Sequence, residues 1–156
     1  MKLILSFGHT GTTQKAAELL AKELEECTVL NGMAKNKIDF SLYETIIFGV
    51  NVHMGKLNKK FIKFYKKLKK KEISAKFACF VIAADEHQKT RYMNMAKEIL
   101  PEDSYIGYFG GEFDPTRAKG LNKAVIKTCM NQFMEQGLPL PSLNMSAILD
   151  FAEHMH

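Results

Sequence analysis

The stretch Lys2-Leu3-Ile4-Leu5-Ser6-Phe7-Gly8-His9-Thr10-Gly11-Thr12-Thr13 decides the fold predicted for this chain. Its first half is a nearly continuous apolar run, which is typical of a parallel β-strand that is buried on both faces. After Thr13, apolar residues recur at helical intervals as far as Glu26, and charged residues occupy the other side of this predicted helix. We expect Thr12 or Thr13 to cap the helix. The stretch therefore predicts a strand, a glycine-containing turn and a helix.

The same alternation of strand and helix patterns continues to the end of the chain. Further strands are predicted over residues 27–30, 45–50, 77–84 and 104–109. Helical patterns lie between residues 57 and 68, 92 and 99, 115 and 137, and 144 and 154. Because helices alternate with five strands, the sequence predicts one α/β domain over residues 1–156. We expect a three-layer, doubly wound, five-stranded parallel sheet with an extra helix before the C-terminal helix.

The composition is that of an ordinary globular protein. Apolar residues make up 46% and charged residues 25% of the 156 residues, which excludes a disordered or fibrous chain. The apolar N-terminal run is interrupted at Gly8, well short of the length of a signal-peptide core or a membrane span. We therefore expect a cytoplasmic protein without a transmembrane segment.

Positive charge is concentrated in one short segment. The net charge is +5, and nine lysines lie between residues 56 and 71: Lys56, Lys59, Lys60, Lys63, Lys66, Lys67, Lys69, Lys70 and Lys71. These lysines are interpreted as the solvated face of a helix, or alternatively as a docking face for an acidic protein or a membrane surface. Nucleic acid is not expected as a partner, because no aromatic residues interleave with the lysines on the charged side.

Three predicted loops lie where a doubly wound sheet binds its ligands, outside the carboxyl ends of the strands. They are residues 8–13, 51–56 and 85–90. The first loop combines two glycines, three threonine hydroxyls and backbone N–H groups at the start of a helix, which suits a phosphate. It lacks the Walker sequence and the dinucleotide fingerprint, so a phosphate monoester is favoured. The alternative is a plain strand-to-helix turn with a threonine cap.

This first loop resembles the phosphate loop of the flavodoxins, in which hydroxyl groups and a glycine surround the phosphate of FMN. Thr10, Gly11 and Thr13 match that motif residue by residue, whereas Gly8 stands where the family commonly has Ser or Thr. Residues 43–50 are similar to the third strand of the family. The resemblance implies a flavodoxin-like sheet of order 2-1-3-4-5, FMN as the cofactor, and redox chemistry.

Three further features are similar to a narrower branch, the menaquinone-dependent protoporphyrinogen IX dehydrogenases and their flavodoxin-domain relatives. They are the loop Asn51-Val52-His53-Met54-Gly55, the pair Gly110-Gly111 after the fifth strand, and the extra helix. The basic net charge agrees, because electron-carrier flavodoxins tend to be acidic. This resemblance implies a flavin-dependent oxidoreductase or electron carrier whose partner is a quinone, a porphyrin-like substrate or a redox protein.

The second and third loops are expected to hold the flavin ring, whose flat faces need apolar contacts and whose edges need backbone donors. His53 and Met54 are the candidates on one side, and residues 84–87 are the candidates on the other. Alternatively, His53 is an ordinary loop histidine, Met54 packs into the core, and Asp85 and Glu86 are helix N-terminal acids. The predicted cofactor-binding residues are Gly8, His9, Thr10, Gly11, Thr12, Thr13, Asn51, Val52, His53, Met54, Gly55, Ala84, Asp85, Glu86 and His87.

Three of the five histidines, His9, His53 and His87, fall in these predicted ligand loops. They do not have the spacing of metal ligands within one loop or helix, so no metal is predicted. No phosphatase loop or nucleophile elbow is present in the sequence, and no catalytic side chain is assigned. A competing hypothesis is a non-redox module on the same fold, which recognises a phosphate or docks a partner.

Overall fold

A parallel β-sheet forms the centre of the protein. The computed structural model describes residues 1–34, 37–113 and 120–156. The strands are β1 (Lys2–Phe7), β2 (Cys27–Asn31), β3 (Thr45–His53), β4 (Lys56–Leu57), β5 (Lys76–Ile82) and β6 (Tyr105–Tyr108). The parallel strands follow the order β2-β1-β3-β5-β6, and the two-residue β4 pairs antiparallel with β3. The predicted fold class is confirmed, and without β4 the strand order is 2-1-3-4-5.

Helices cover both faces of the sheet. They are α1 (Thr12–Lys22), α2 (Lys59–Leu68), α3 (Lys89–Ile99), α4 (Leu121–Glu135) and α5 (Met145–His154). Side chains of α1 and α5 belong to one core cluster, and side chains of α2 and α3 belong to a second cluster. The connection from β2 to β3 carries a 3₁₀ turn, Phe40–Leu42, and the predicted extra helix is α4.

Alternation along the strands explains how one sheet builds two core clusters. In β1, Leu3, Leu5 and Phe7 belong to the cluster of α2 and α3, whereas Ile4 belongs to the cluster of α1 and α5. All four side chains are fully buried. Full burial of such a side chain is worth about 1.5–3 kcal/mol. The sheet is thereby fixed from both faces, and with it the carboxyl edge at which the candidate site lies.

The end of β3 differs from the prediction. Residues 51–53, predicted as a loop, are strand residues, because β3 does not end at Val50. Val52 and His53 pair with β4 across a two-residue turn, Met54-Gly55, in which both residues have positive φ, 52° and 74°. Leu57, predicted as part of the following helix, lies in β4, and α2 begins at Lys59. This edge of the site is therefore a hairpin and not an irregular loop.

The first helix also differs from the prediction at both ends. Gly11, with a φ of 89°, is the N-cap residue of α1, so the prediction that Thr12 or Thr13 caps the helix is wrong. Glycine adopts this left-handed conformation without the steric cost of a Cβ. The helix ends at Lys22, earlier than predicted. The predicted start of the extra helix, residue 115, lies outside the described residues.

The extra helix α4 is much less buried than the other helices. Ile126 is its one buried side chain, and Leu121, Val125 and Met134 are largely exposed. Among the residues that the structure describes, no helix is long and apolar enough to cross a membrane. The N-terminal part of α4 reaches the carboxyl edge of the sheet, where it contributes to the candidate site.

Candidate functional site

The loop after β1 places two buried threonines at the carboxyl edge of the sheet. Thr12 and Thr13 lie in the first turn of α1 and are 3% and 2% exposed. The Thr12 Oγ1 atom is buried and has no hydrogen-bond partner among the described residues. Leaving a buried polar group unpaired costs about 1–3 kcal/mol. The Thr12 hydroxyl is therefore free to donate to an acceptor supplied by a ligand.

Gly8 lets Thr13 pack directly against the backbone of the loop. A Cβ atom at position 8 would lie 2.5 Å from the Thr13 Oγ1 atom and 2.7 Å from the Thr13 Cβ atom. A Ser or Thr at this position would therefore collide with the buried Thr13 side chain. The departure from the flavodoxin motif at Gly8 thus has a steric reason, and polar contacts at this position come from the backbone.

A cavity of about 140 Å³ lies over this loop. The ends of β3 and β5, the segment after β6 and the N-terminal half of α4 complete its walls. Cavities that hold a whole small molecule usually measure about 300–1,000 Å³. This cavity is called the smaller cavity below, because a larger one adjoins it. It has room for a phosphate group and its neighbouring atoms, and the rest of a ligand would extend beyond it.

The N-terminus of α1 and one side of α4 line the smaller cavity. From α4, Asn122, Val125 and Ile126 face the cavity, and Asn122 donates from Nδ2 to the carbonyl oxygen of His9 over 3.4 Å. The N-terminal end of a helix attracts anions through its free N–H groups and its dipole. The carboxylate of Glu112 lies in the wall as well, but it is paired with Lys15 at 2.8 Å. The local field therefore favours a bound anion.

A polar network connects the loop to β3. The Nδ1 atom of His9 lies 2.9 Å from the Nδ2 atom of Asn51, and the buried Asn58 donates from its Nδ2 atom to the Oδ1 atom of Asn51 over 2.9 Å. Asn58 is also the N-cap residue of α2. The rings of His9 and His53 lie 4.8 Å apart. Burial, and secondarily the nearby His53, lower the pKa of His9, so that this side chain is neutral near pH 7.

Met54 lies at the tip of the hairpin turn. It is 87% exposed, so the alternative that it packs into the core is wrong. The carbonyl oxygen of Gly55 accepts a hydrogen bond of 3.3 Å from the Nη2 atom of Arg91, which ties the turn to α3. The exposed thioether is available to a flat ligand ring, and contact with a flavin stays a prediction.

Two tyrosines anchor the segment that follows β5. The Tyr108 hydroxyl donates to the carbonyl oxygen of Ala83, and the Tyr92 hydroxyl donates to the Oδ2 atom of Asp85, both over 2.6 Å. Burial, and secondarily the hydrogen bond to Asp85, raise the pKa of Tyr92 to about 12, so this hydroxyl remains a donor at neutral pH. Asp85 precedes the 3₁₀ turn Glu86–Gln88, but its side chain does not cap that turn. The segment is thereby held in one position against the sheet.

A larger cavity, of about 870 Å³, adjoins this segment. Asp85, Glu86 and His87 line it, together with the connection between α4 and α5. Ala84 and Gly111 lie in the walls of both cavities, so the two cavities are neighbours. The volume of the larger cavity is that of a site for a whole small molecule.

The predicted site residues gather at one edge of the sheet but divide between these two cavities. Those that line the smaller cavity are His9, Thr10, Thr12, Thr13, Asn51, Val52, His53 and Ala84. Gly8 and Gly11 shape the backbone of the loop beneath it, whereas Met54 and Gly55 form the hairpin turn. Residues 85–87 lie at the larger cavity.

One wall of the smaller cavity was not predicted. It is formed by Gly111, Glu112, Phe113, Asn122, Val125 and Ile126. The sequence carried one signal for it, the glycine pair after the fifth parallel strand: a Cβ atom on Gly111 would lie 2.8 Å from the carbonyl carbon of Ala83. Tertiary packing alone brings the residues of α4 to the cavity, and no motif marks them.

A doubly wound sheet with a threonine-lined cavity after its first strand is typical of α/β proteins that bind their ligands at the carboxyl edge. Within that class, residues 3–137 match the family model described as the flavodoxin domain, and the chain belongs to that family. No curated protein sequence matches the chain significantly.

Three solved structures are similar to this chain. A flavoprotein in complex with FMN from Lactobacillus acidophilus NCFM has a TM-score of 0.54 and 17% identity, over 70% of this chain and 91% of that one. Oxidised flavodoxin 1 from Bacillus cereus has a TM-score of 0.49 and 18% identity, over 86% of this chain and 98% of that one. The Streptococcus pneumonia TIGR4 flavodoxin has a TM-score of 0.48 and 14% identity, over 86% and 97%. The first of these similarities shows a shared fold.

Proposed function

We propose that this protein is an FMN-dependent oxidoreductase or electron-transfer protein. The observation that carries the proposal is Thr12, which lines the smaller cavity and whose buried hydroxyl has no hydrogen-bond partner among the described residues. A phosphate monoester supplies the missing acceptor in a charge-assisted hydrogen bond. Membership of the flavodoxin domain family supports FMN as the source of that phosphate, and so does the FMN complex of the Lactobacillus acidophilus flavoprotein.

The residues at this edge of the sheet fit FMN in a definite arrangement. The threonine hydroxyls and the N-terminus of α1 would hold the phosphate, Asn122 of α4 would lie beside it, and the flavin ring would extend toward the hairpin turn and residues 84–87. When bound, FMN supplies the transfer of a hydride or of single electrons. The tyrosine anchors keep residues 84–87 in place, so that their backbone groups meet the ring edge without reorganisation. His9, which is neutral near pH 7, adds a hydrogen-bonding group without adding charge.

For the substrate, we propose a quinone or a porphyrin-like ring, as in a protoporphyrinogen-dehydrogenase-like reaction. The larger cavity supports this proposal, because it adjoins the expected position of the flavin ring and has about 870 Å³ of space. Its apolar wall, in the connection between α4 and α5, suits a flat hydrophobic ring. For a redox partner protein, the lysines of α2 form the complementary surface to an acidic partner.

A comparison of FMN with riboflavin tests the cofactor assignment. Fluorescence titration of the purified protein should show saturable binding of FMN, and riboflavin, which lacks the phosphate, should bind at least about 100-fold more weakly. Equal affinities for FMN and riboflavin would show that the smaller cavity does not bind the phosphate. With FMN bound, oxidation of protoporphyrinogen IX by a quinone is then measured without oxygen, and failure of that reaction in an FMN-loaded sample would contradict only the substrate assignment.

A second candidate is a non-redox module that recognises a phosphate monoester. The small volume of the smaller cavity, about 140 Å³, favours this alternative, because a phosphate group fills such a space without a ring beside it. The two functions differ in what the ring contributes to binding. If inorganic phosphate or a simple alkyl phosphate competes as strongly as FMN, the ring contributes nothing and the redox function is wrong.

A further inference from the structure

A third cavity lies away from the cofactor edge, between α2 and the connection that joins β2 to β3. It measures about 400 Å³, and its lining residues are Lys37, Ile38, Phe40, Phe64, Lys67, Leu68 and Lys71. None of these residues lines either of the two cavities at the carboxyl edge of the sheet. The proposed FMN chemistry therefore makes no use of this cavity, which has the volume of a small-molecule site.

The floor of this cavity is apolar. The rings of Phe40 and Phe64 meet edge to face with their centroids 6.4 Å apart, and Leu68 is buried beside them. Ile38, Phe40 and Phe64 remain half-buried, although they pack on the core cluster below. A concave apolar surface of this kind gains free energy when an apolar group displaces water from it.

The rim of this cavity is cationic. Lys37, Lys67 and Lys71 are exposed, and the Lys71 ammonium lies 5.6 Å from the centre of the Phe40 ring. Within the described residues, the ion pairs are those of Lys2 with Glu44 and of Lys15 with Glu112, so none of the three rim lysines is in an ion pair there. The rim is therefore complementary to an anionic group held above an apolar one.

We propose that this cavity binds a single-chain amphiphilic anion, with its hydrocarbon part on the phenylalanine floor and its carboxylate or phosphate head at the rim lysines. The occupant is a free amphiphile and not a bilayer. The apolar face of α2, which carries Phe61 and Tyr65, is buried in the core and cannot enter a membrane. In addition, a lipid in a bilayer could fill the concave site only if one of its acyl chains left the membrane. The site is independent of FMN binding.

Decanoate is the probe for this site, with binding to the 156-residue chain measured by isothermal titration calorimetry. We expect saturable binding of decanoate, weaker binding of the uncharged decanol and no detectable binding of acetate, because the site needs both the chain and the charge. The double variant Lys67→Glu/Lys71→Glu should lower the affinity for decanoate about tenfold or more. The matched control is Lys66→Glu/Lys70→Glu, which changes the same charge at the same spacing on exposed lysines outside the cavity.

The two double variants separate a built site from a general positive field. If both lower the affinity for decanoate equally, or if wild type shows no saturable binding, the proposal is wrong. Binding to phosphatidylserine-containing vesicles is measured in parallel. If those vesicles distinguish the two variants while decanoate does not, the occupant is a bilayer and the proposal is likewise wrong. All four lysines are exposed, so circular dichroism should show folded protein for both variants.

Discussion

The buried Thr12 hydroxyl gives a prediction in which one substitution has opposite effects on the free and the FMN-bound protein. Thr12→Val keeps the shape of the side chain and removes the hydroxyl, whose Oγ1 atom has no partner among the described residues. An unpaired buried hydroxyl costs about 1–3 kcal/mol, so the FMN-free variant should be more stable than wild type by about 1 kcal/mol. For a domain of this size, that difference raises the Tm by about 2–4 °C.

FMN binding by the same variant should be weaker. A hydrogen bond to a charged group is worth about 1.5–3 kcal/mol, so the Kd for FMN should rise between about 10-fold and 150-fold. Thermal unfolding of the FMN-free protein and fluorescence titration with FMN measure the two effects separately. Thr12→Ser keeps the hydroxyl and should keep most of the affinity.

Thr45→Val is the matched control, because Thr45 begins β3 at the opposite end of the sheet. It should leave the FMN affinity unchanged. The reasoning is refuted if Thr12→Val destabilises the FMN-free protein and binds FMN as tightly as wild type, since the hydroxyl would then have a partner inside the protein and none in the ligand.

Three further predictions concern the same edge of the sheet. Gly8→Ala should lower the free energy of unfolding by about 1–3 kcal/mol in denaturant titrations and weaken FMN binding, because its Cβ would lie 2.5 Å from the Thr13 Oγ1 atom; an unchanged midpoint would contradict the close packing. The pKa of His9 is lowered on folding, so protons bind more readily to the unfolded chain, and stability should fall as the pH drops below about 6.5. His9→Asn should remove that part of the loss, and parallel stability curves for the two proteins would contradict it. Addition of FMN should slow hydrogen exchange in the N-terminal half of α4 and leave α5, whose Ile148 and Phe151 are already buried, unaffected; equal protection of both helices would exclude a local contact.

Hydrophobic periodicity was sufficient to predict the sheet, because its parallel strands are buried on both faces and read as apolar runs. It failed at the end of β3, where Asn51 and His53 are polar residues in a strand. The turn that closes the hairpin is Met54-Gly55, and both residues have positive φ. Two-residue hairpin turns with positive φ at both residues usually have the sequence Asn-Gly or Asp-Gly. Methionine in the first position does not indicate such a turn.

The loop after β1 was predicted from local chemistry to bind a phosphate, which stays a prediction, and the prediction that a threonine caps α1 is wrong. Threonine is a common N-cap residue, and the sequence offered two candidates at the start of α1. In the structure, Gly11 takes the cap position in a left-handed conformation, and this moves Thr12 into the first turn of the helix. The wall from α4 was out of reach for a different reason, since Asn122 meets His9 through a contact 113 residues apart in the chain.

In the proposed function, the unpaired hydroxyl and the exposed α4 have one physical cause. A site for a phosphate keeps donors and a helix N-terminus turned toward a cavity, and those groups weaken the protein until the anion binds. The cost falls on Thr12 at the start of α1 and on α4, whose one buried side chain is Ile126. A ligand that binds the folded state alone returns the lost stability in proportion to the logarithm of its concentration over Kd. The same features that indicate the cofactor site therefore predict that FMN stabilises this protein most strongly where its own packing is weakest.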